Sequence, residues 1–376
     1  MTSMTEASDF APDAALLEAA RIAATISLKL REGEAVLIVA NPERESFAIA
    51  SAMYDAAVAA GARTTLILQP VKNQTDYTEE AVIAAFESRP DVFVSLSAEK
   101  LGKDRSGIRT PYEWNGVDYD NIFHYQLHGA KTLRAFWSPG ATRAMFKKTV
   151  PIDYEALRIR CRAVAEALAG GLYARVTNAG GTDIHIGLKG RAPKVDDGDF
   201  SSPGSGGNLP AGEVFVSPQL GLSEGLVVFD GSIAAIKGDI LIREPIRCRV
   251  EGGFVVEVTG GEEAAALRAS LDTGEEAARK LGREGALPPD KVEAYARNAR
   301  NLGELGIGLN PAAAVVGNML EDEKAFRTCH FAIGANYDED APSLIHLDGL
   351  VSRPTIVVVG AKGRETVIEK DGELVV

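Results

Sequence analysis

Two of the five histidines in this chain of 376 residues have acids or unusual spacing beside them. In SLIHLDGL, His346 and Asp348 are separated by one residue. On a strand both side chains point to the same face with Cα atoms about 6.5 Å apart, close enough to share one ion or to pair with each other. In NLGELGIGLNP, Glu304 shares one strand face with Gly306 and Gly308, while Leu305, Ile307 and Leu309 take the other. Glycines beside an inward carboxylate leave room for an ion or a substrate; a solvated edge glutamate is the plainer alternative. In NLPAGEVFVSP, Glu213 stands between a Pro–Gly turn and an apolar run. In TCHFAIGANY, His330 enters another apolar strand and Tyr337 follows a glycine that can turn the chain. Together Glu213, Glu304, His330, His346 and Asp348 offer three carboxylates and two imidazoles. That set suits a co-catalytic pair of divalent ions such as zinc, cobalt or manganese.

The remaining histidines carry less. His124 and His128 in NIFHYQLHG could chelate if helical, but no third donor is near in sequence. His185 alternates with Ile184 and Ile186 and reads as a half-buried strand residue. Neither a phosphate-binding GxxxxGK[ST] loop, a dinucleotide GxGxxG turn, an HExxH helix nor a GxSxG elbow is present. PGSGG at 203–207 has no following basic residue, and the stretch 201–212 reads as a flexible loop.

The elements that must position these residues fall into two groups. AVLIVA (35–40), TTLILQP (64–70), DVFVSLS (91–97) and KTLRAFWSP (131–139) are strand-like runs alternating with helical segments at 13–30, 45–62 and 78–88. That order predicts βαβ units, hence a flavodoxin- or Rossmann-like parallel sheet. A long helix over 152–171 closes this part. Beyond Gly171 come short alternating strands with Gly, Asp and Asn turns, interrupted by helices over 261–282 and 288–300, and a final hairpin turned at KDGE. The expected fold is thus an α/β N-terminal domain with a parallel sheet, residues 1–170, followed by a β-rich α+β catalytic domain, residues 171–376.

Composition limits the function. Forty Lys and Arg against 53 Asp and Glu give a formal charge of −13, which disfavours nucleic-acid and anionic-membrane partners. No apolar run is long enough to span a bilayer. The first dozen residues, MTSMTEASDFAP, show no secretory signal, and three scattered cysteines form no disulfide framework, so a reducing cytoplasm is expected.

LPAGEVFVSP, ELGIGLNP, EDEKAFRTCHFAIGANY and IHLDGL resemble, in order and approximate spacing, the thermophilic-metalloprotease aminopeptidases, the family of aminopeptidase S and aminopeptidase T. The resemblance is specific over residues about 205–350 and generic before them. It implies a dimeric, dinuclear exopeptidase acting on a small peptide or amide. It matches Glu213, Glu304, His330, His346 and Asp348 to the metal ligands, Glu304 to the bridging, catalytic one, and Tyr337 to the catalytic tyrosine. Two departures stand out. Gly207 replaces an Arg that usually precedes Asn–Leu–Pro, and Ala325 stands where an acid is expected, with Glu323 two residues earlier. Whether Glu323 is a further ligand is left open. The superfamily is also similar to the 2,5-dihydroxypyridine 5,6-dioxygenases, mononuclear iron enzymes. That branch lacks the acid matching Glu213 and the histidine matching His330, and has His where this chain has Glu304. The residues therefore point to hydrolysis first, with ring-opening oxygenation or non-catalytic binding on the same scaffold as alternatives.

Overall fold

The computed structural model describes residues 12–73 and 76–376, so the reading of the N-terminal residues lies almost wholly outside it. The chain forms two compact units. One comprises residues up to Tyr154 together with Gly198–Ala211, the other Glu155–Asp197 together with Gly212–Val376. The chain thus crosses between units three times instead of once near residue 170. Helix Tyr154–Leu168 and the strands up to Asp196 belong with the β-rich unit from Glu155 onward.

In the first unit, strands Ala35–Ala40, Arg63–Leu68, Val92–Leu96 and Arg134–Trp137 pair in parallel, as the continuous apolar runs predict. Helix Glu80–Glu87 and residues 122–127 cover the sheet face bearing Leu37, Val39, Phe93 and Ala135, with Phe86, Phe93 and Phe123 in edge or tilted ring contacts. The expected loop at 201–212 is partly a strand, because Gly206–Asn208 adds in parallel to Arg134–Trp137. Glycines without side chains can lie against a neighbouring strand in a stretch whose composition reads as linker.

The second unit holds two antiparallel sheets. The eight-stranded one runs in the order 254–259, 246–251, 224–229, 183–187, 173–177, 355–359, 365–370, 373–374. His185 lies on its exposed face beside Tyr173, not half-buried, because only the alternate residues Ile184 and Ile186 face the core. The last two strands turn at Asp371–Gly372, both with positive φ, which is the geometry a two-residue hairpin demands.

The seven-stranded sheet positions the site. Its order is 240–241, 232–233, 346–352, 328–334, 302–308, 213–216, 194–196. The strands Leu302–Gly308 and Thr328–Gly334 are buried at every residue. On one face Leu305, Ile307, Cys329, Phe331, Ile333 and Leu347 are buried apolar groups. Alternation sends Glu304, His330 and Asp348 to the other face. Among the described residues no helix is long and apolar enough to cross a membrane.

Glu369, on the eight-stranded sheet, is a buried acid without a counterion among the described residues. Glu369 is fully buried and neither carboxylate oxygen has a hydrogen-bond partner. Burial, and then the charge of Glu373, push its pKa from 4.5 up to about 8. The unfolded chain loses this proton near pH 4.5 and the folded chain keeps it to about pH 8, so folding stability falls across that window. Glu369→Gln removes the titration. Its melting temperature, followed by circular dichroism across the same window, should decline by roughly several degrees less than that of the wild type; parallel curves would contradict the assignment.

Candidate metal site on the seven-stranded sheet

Strand register assembles the site. Glu304, Ala332 and Asp348 lie in one row across three strands, and Gly306, His330 and Leu350 in the next. Glu213 pairs with Gly308 on the neighbouring strand, and His346 with Gly334. The floor between the polar groups is therefore made of Gly306, Gly308, Ala332 and Gly334. Gly306 is required by geometry, since a Cβ there would lie 1.9 Å from His330 Nε2. Cross-strand room for the imidazole exists only because that residue has no side chain.

The donors converge closely. His330 Nε2 is 3.1 Å from Glu304 Oε1 and 3.5 Å from Glu213 Oε2. His346 Nε2 is 3.3 Å from Asp348 Oδ1 and 3.8 Å from Glu304 Oε2. Glu213, Glu304 and His330 each offer an atom within 4.8 Å of the others, and so do Glu323, His330 and Asp348. All five sequence-identified donors thus share one cluster, and Glu323 joins it. His124 and His128 lie in the first unit, with ring centroids 5.9 Å apart, and belong to neither donor group.

Electrostatics explain how so many acids coexist. Burial opposes charging of His330, yet the hydrogen bond with Glu304 and the charge of Glu213 raise its pKa to about 9. Burial likewise opposes charging of His346, and the charge of Asp348 outweighs it, taking the pKa to about 10. Asp348 is held down at about 2 against burial by the His346 charge. Burial pushes Glu304 up, and pushes Glu323 to about 8. A cluster without a bound cation must take up protons to balance its own charge.

Lys324 is the residue that sequence reasoning missed. Its side chain is fully buried, and its Nζ donates to Glu213 Oε1 at 2.6 Å and to Glu323 Oε1 at 2.5 Å. Those two carboxylates overcome burial and hold its pKa well above the ordinary value. Asp322 anchors the segment, accepting hydrogen bonds from Ser232 Oγ and from the backbone N–H groups of Val316 and Gly317. Gly308 lets the chain pass, because a Cβ there would meet the Ala325 carbonyl at 2.1 Å. A lysine in EDEKAF reads as solvated; the only signal was the pair of glycines opposite.

The donor set fits a divalent ion. Glu213 Oε2, Glu304 Oε2 and Asp348 Oδ1 are buried without a hydrogen-bond partner, an arrangement costly unless a cation satisfies the lone pairs. His346 Nδ1 lies 2.9 Å from the Ala335 carbonyl, which can only accept. Nδ1 therefore carries a hydrogen and Nε2 faces the acids, the orientation a ligating imidazole needs.

Tyr337 stands at the rim. The strand ends at Gly334, φ +127°, and the chain turns so that the phenol ring lies 5.2 Å from the His346 ring and 5.1 Å from Phe215. It remains 54% exposed, on a loop held by Arg191, which bonds Asp338 at 3.0 Å and Asp340 at 2.7 Å, and by Lys194 on Asp338.

A sheet face of clustered acids and imidazoles over a glycine floor is a candidate metal-binding site. The chain belongs to the family described as NicX, 2,5-dihydroxypyridine 5,6-dioxygenase, matched over residues 126–332. A comparison with curated proteins gives no match. Two solved structures share the fold over nearly their whole length. The 2,5-dihydroxypyridine dioxygenase from Pseudomonas putida KT2440 superposes with a TM-score of 0.70 at 18% identity, over 97% of this chain and 98% of its own. AmpT from Thermus thermophilus does so with a TM-score of 0.65 at 21% identity, over 96% and 99%. The expected fold class holds; the family match is to the dioxygenase, and the likeness to AmpT is one of fold.

Gly306→Ala should displace the His330 ring. Metal retained after gel filtration, measured by elemental analysis, should drop at least about tenfold in affinity while the variant remains folded. Unchanged metal content would show that His330 is not held where the register puts it.

Proposed function

We propose that the protein is a metal-dependent hydrolase of a small amide substrate, such as the N-terminal bond of a short peptide. The observation that carries this reading is the convergence of four buried or nearly buried carboxylates, Glu213, Glu304, Glu323 and Asp348, with only two imidazoles on one sheet face. Hard oxygen donors in that excess suit an ion acting as a Lewis acid. Glu304, His346 and Asp348, with His330 beside them, would hold the ion, which when bound polarises a carbonyl and makes water acidic near neutral pH.

The chain's own groups supply the rest. Glu304 lies at the centre of the cluster, where a carboxylate oxygen not engaged by the ion would accept a proton from water and pass it to a leaving amine. The Tyr337 hydroxyl is protonated at neutral pH, since burial of its polar end and the charge of Glu304 raise its pKa. From the rim it can donate to an oxygen that gains negative charge. Phe215 and Tyr337 together offer an apolar wall for a side chain of the substrate.

Family membership supports a second reading, oxygen-dependent opening of an aromatic ring at a single iron. A two-histidine, one-carboxylate set, as such iron sites use, could be drawn from His330, His346 and Asp348. Glu304 in the set that would hold the ion, with Tyr337 at its rim, favours hydrolysis.

The readings separate in one pair of assays. The protein reconstituted with zinc or manganese should cleave leucine anilides or dipeptides equally with and without oxygen, and chelation should abolish the activity. Oxygen uptake with 2,5-dihydroxypyridine after iron loading, with no amide cleavage, would overturn the hydrolytic reading. On the cleaved substrate, Tyr337→Phe should lower kcat by roughly 10²–10³ with unchanged metal content; a raised KM at constant kcat would reduce Tyr337 to a binding residue.

A further inference from the structure

We propose that the Lys324 ammonium serves as a built-in second cation, so that this chain takes one divalent ion where a two-ion site would otherwise form. The inference rests on the reading that the cluster binds metal. Two donor groups could hold an ion in this sheet face: Glu213, Glu304 and His330, or Glu323, His330 and Asp348. Each contains a carboxylate that Lys324 already holds, Glu213 at 2.6 Å and Glu323 at 2.5 Å. His346 Nε2 lies 3.8 Å from Glu304 Oε2 and 3.3 Å from Asp348 Oδ1, and neither contact involves the lysine.

The lysine has no alternative position in water. Its side chain is 0% exposed, and the segment carrying it is fixed by Asp322 and by the backbone pairing of Asn310 with Ala325. An ammonium bound to two carboxylates in a dry site is a point charge in the place where a second metal ion would neutralise the same acids. A further divalent ion drawing on Glu213 or Glu323 would lie against that ammonium, and like charges so close and so poorly solvated repel strongly. Four carboxylates are then balanced by one ammonium and one divalent ion to within a single charge.

The test is metal stoichiometry by elemental analysis and equilibrium dialysis with zinc or manganese, using the full chain. The wild type should bind one ion per chain, Lys324→Arg one, and Lys324→Gln two. A wild type that binds two ions, or a folded Lys324→Gln that still binds only one, overturns the role of Lys324. A wild type that binds none overturns the metal reading itself, which separates the two failures. Should Lys324→Gln not fold, the stoichiometry of the wild type and of Lys324→Arg decides: one ion in each sustains the proposal, and two in either overturns it.

Discussion

The constraint on which this structure depends is negative charge confined to one buried sheet face. Glu213, Glu304 and Asp348 each expose less than a tenth of their surface, and Glu323 reaches the same cluster. Isolated carboxylates do not survive such burial. Each here is held by a cation within the cluster: Lys324 takes Glu213 and Glu323, while His330 and His346 take Glu304 and Asp348. Lone pairs left over on three of the acids mark where a metal ion has most to gain.

Space for this chemistry is made by small residues. Gly306 accommodates the His330 ring, Gly308 the backbone of Ala325 and with it the approach of Lys324, and Ala332 separates Glu304 from Asp348 within one row. The opposite face of the same strands is packed with Leu, Ile and Phe, which fixes the register. A one-residue slip would send every donor into that apolar layer, so packing on one face determines the chemistry on the other.

Much of this was legible in the sequence, for physical reasons that differ by element. The parallel strands of the first unit announce themselves as continuous apolar runs, and His346 and Asp348 share a face because the strand period is two. Glu304 beside two glycines signalled space, but that space is taken by the His330 ring and the Ala325 backbone and not by an ion or a substrate. The second unit's claim on helix Tyr154–Leu168 was not legible, since a helix does not state which core it joins. Gly206–Asn208 looked like linker because a glycine strand lacks β-branched side chains. Lys324 was hidden because a buried lysine is recognisable only by its partners, and Glu213 lies 111 residues away in the chain.

Anomalous diffraction at the metal edge, from crystals of the reconstituted protein, tests the central claim most directly. A peak is expected within coordination distance of Glu304, His346 and Asp348, on the sheet face opposite the apolar layer. A peak elsewhere, for instance at His124 and His128, or no ordered peak in fully loaded crystals, would contradict it.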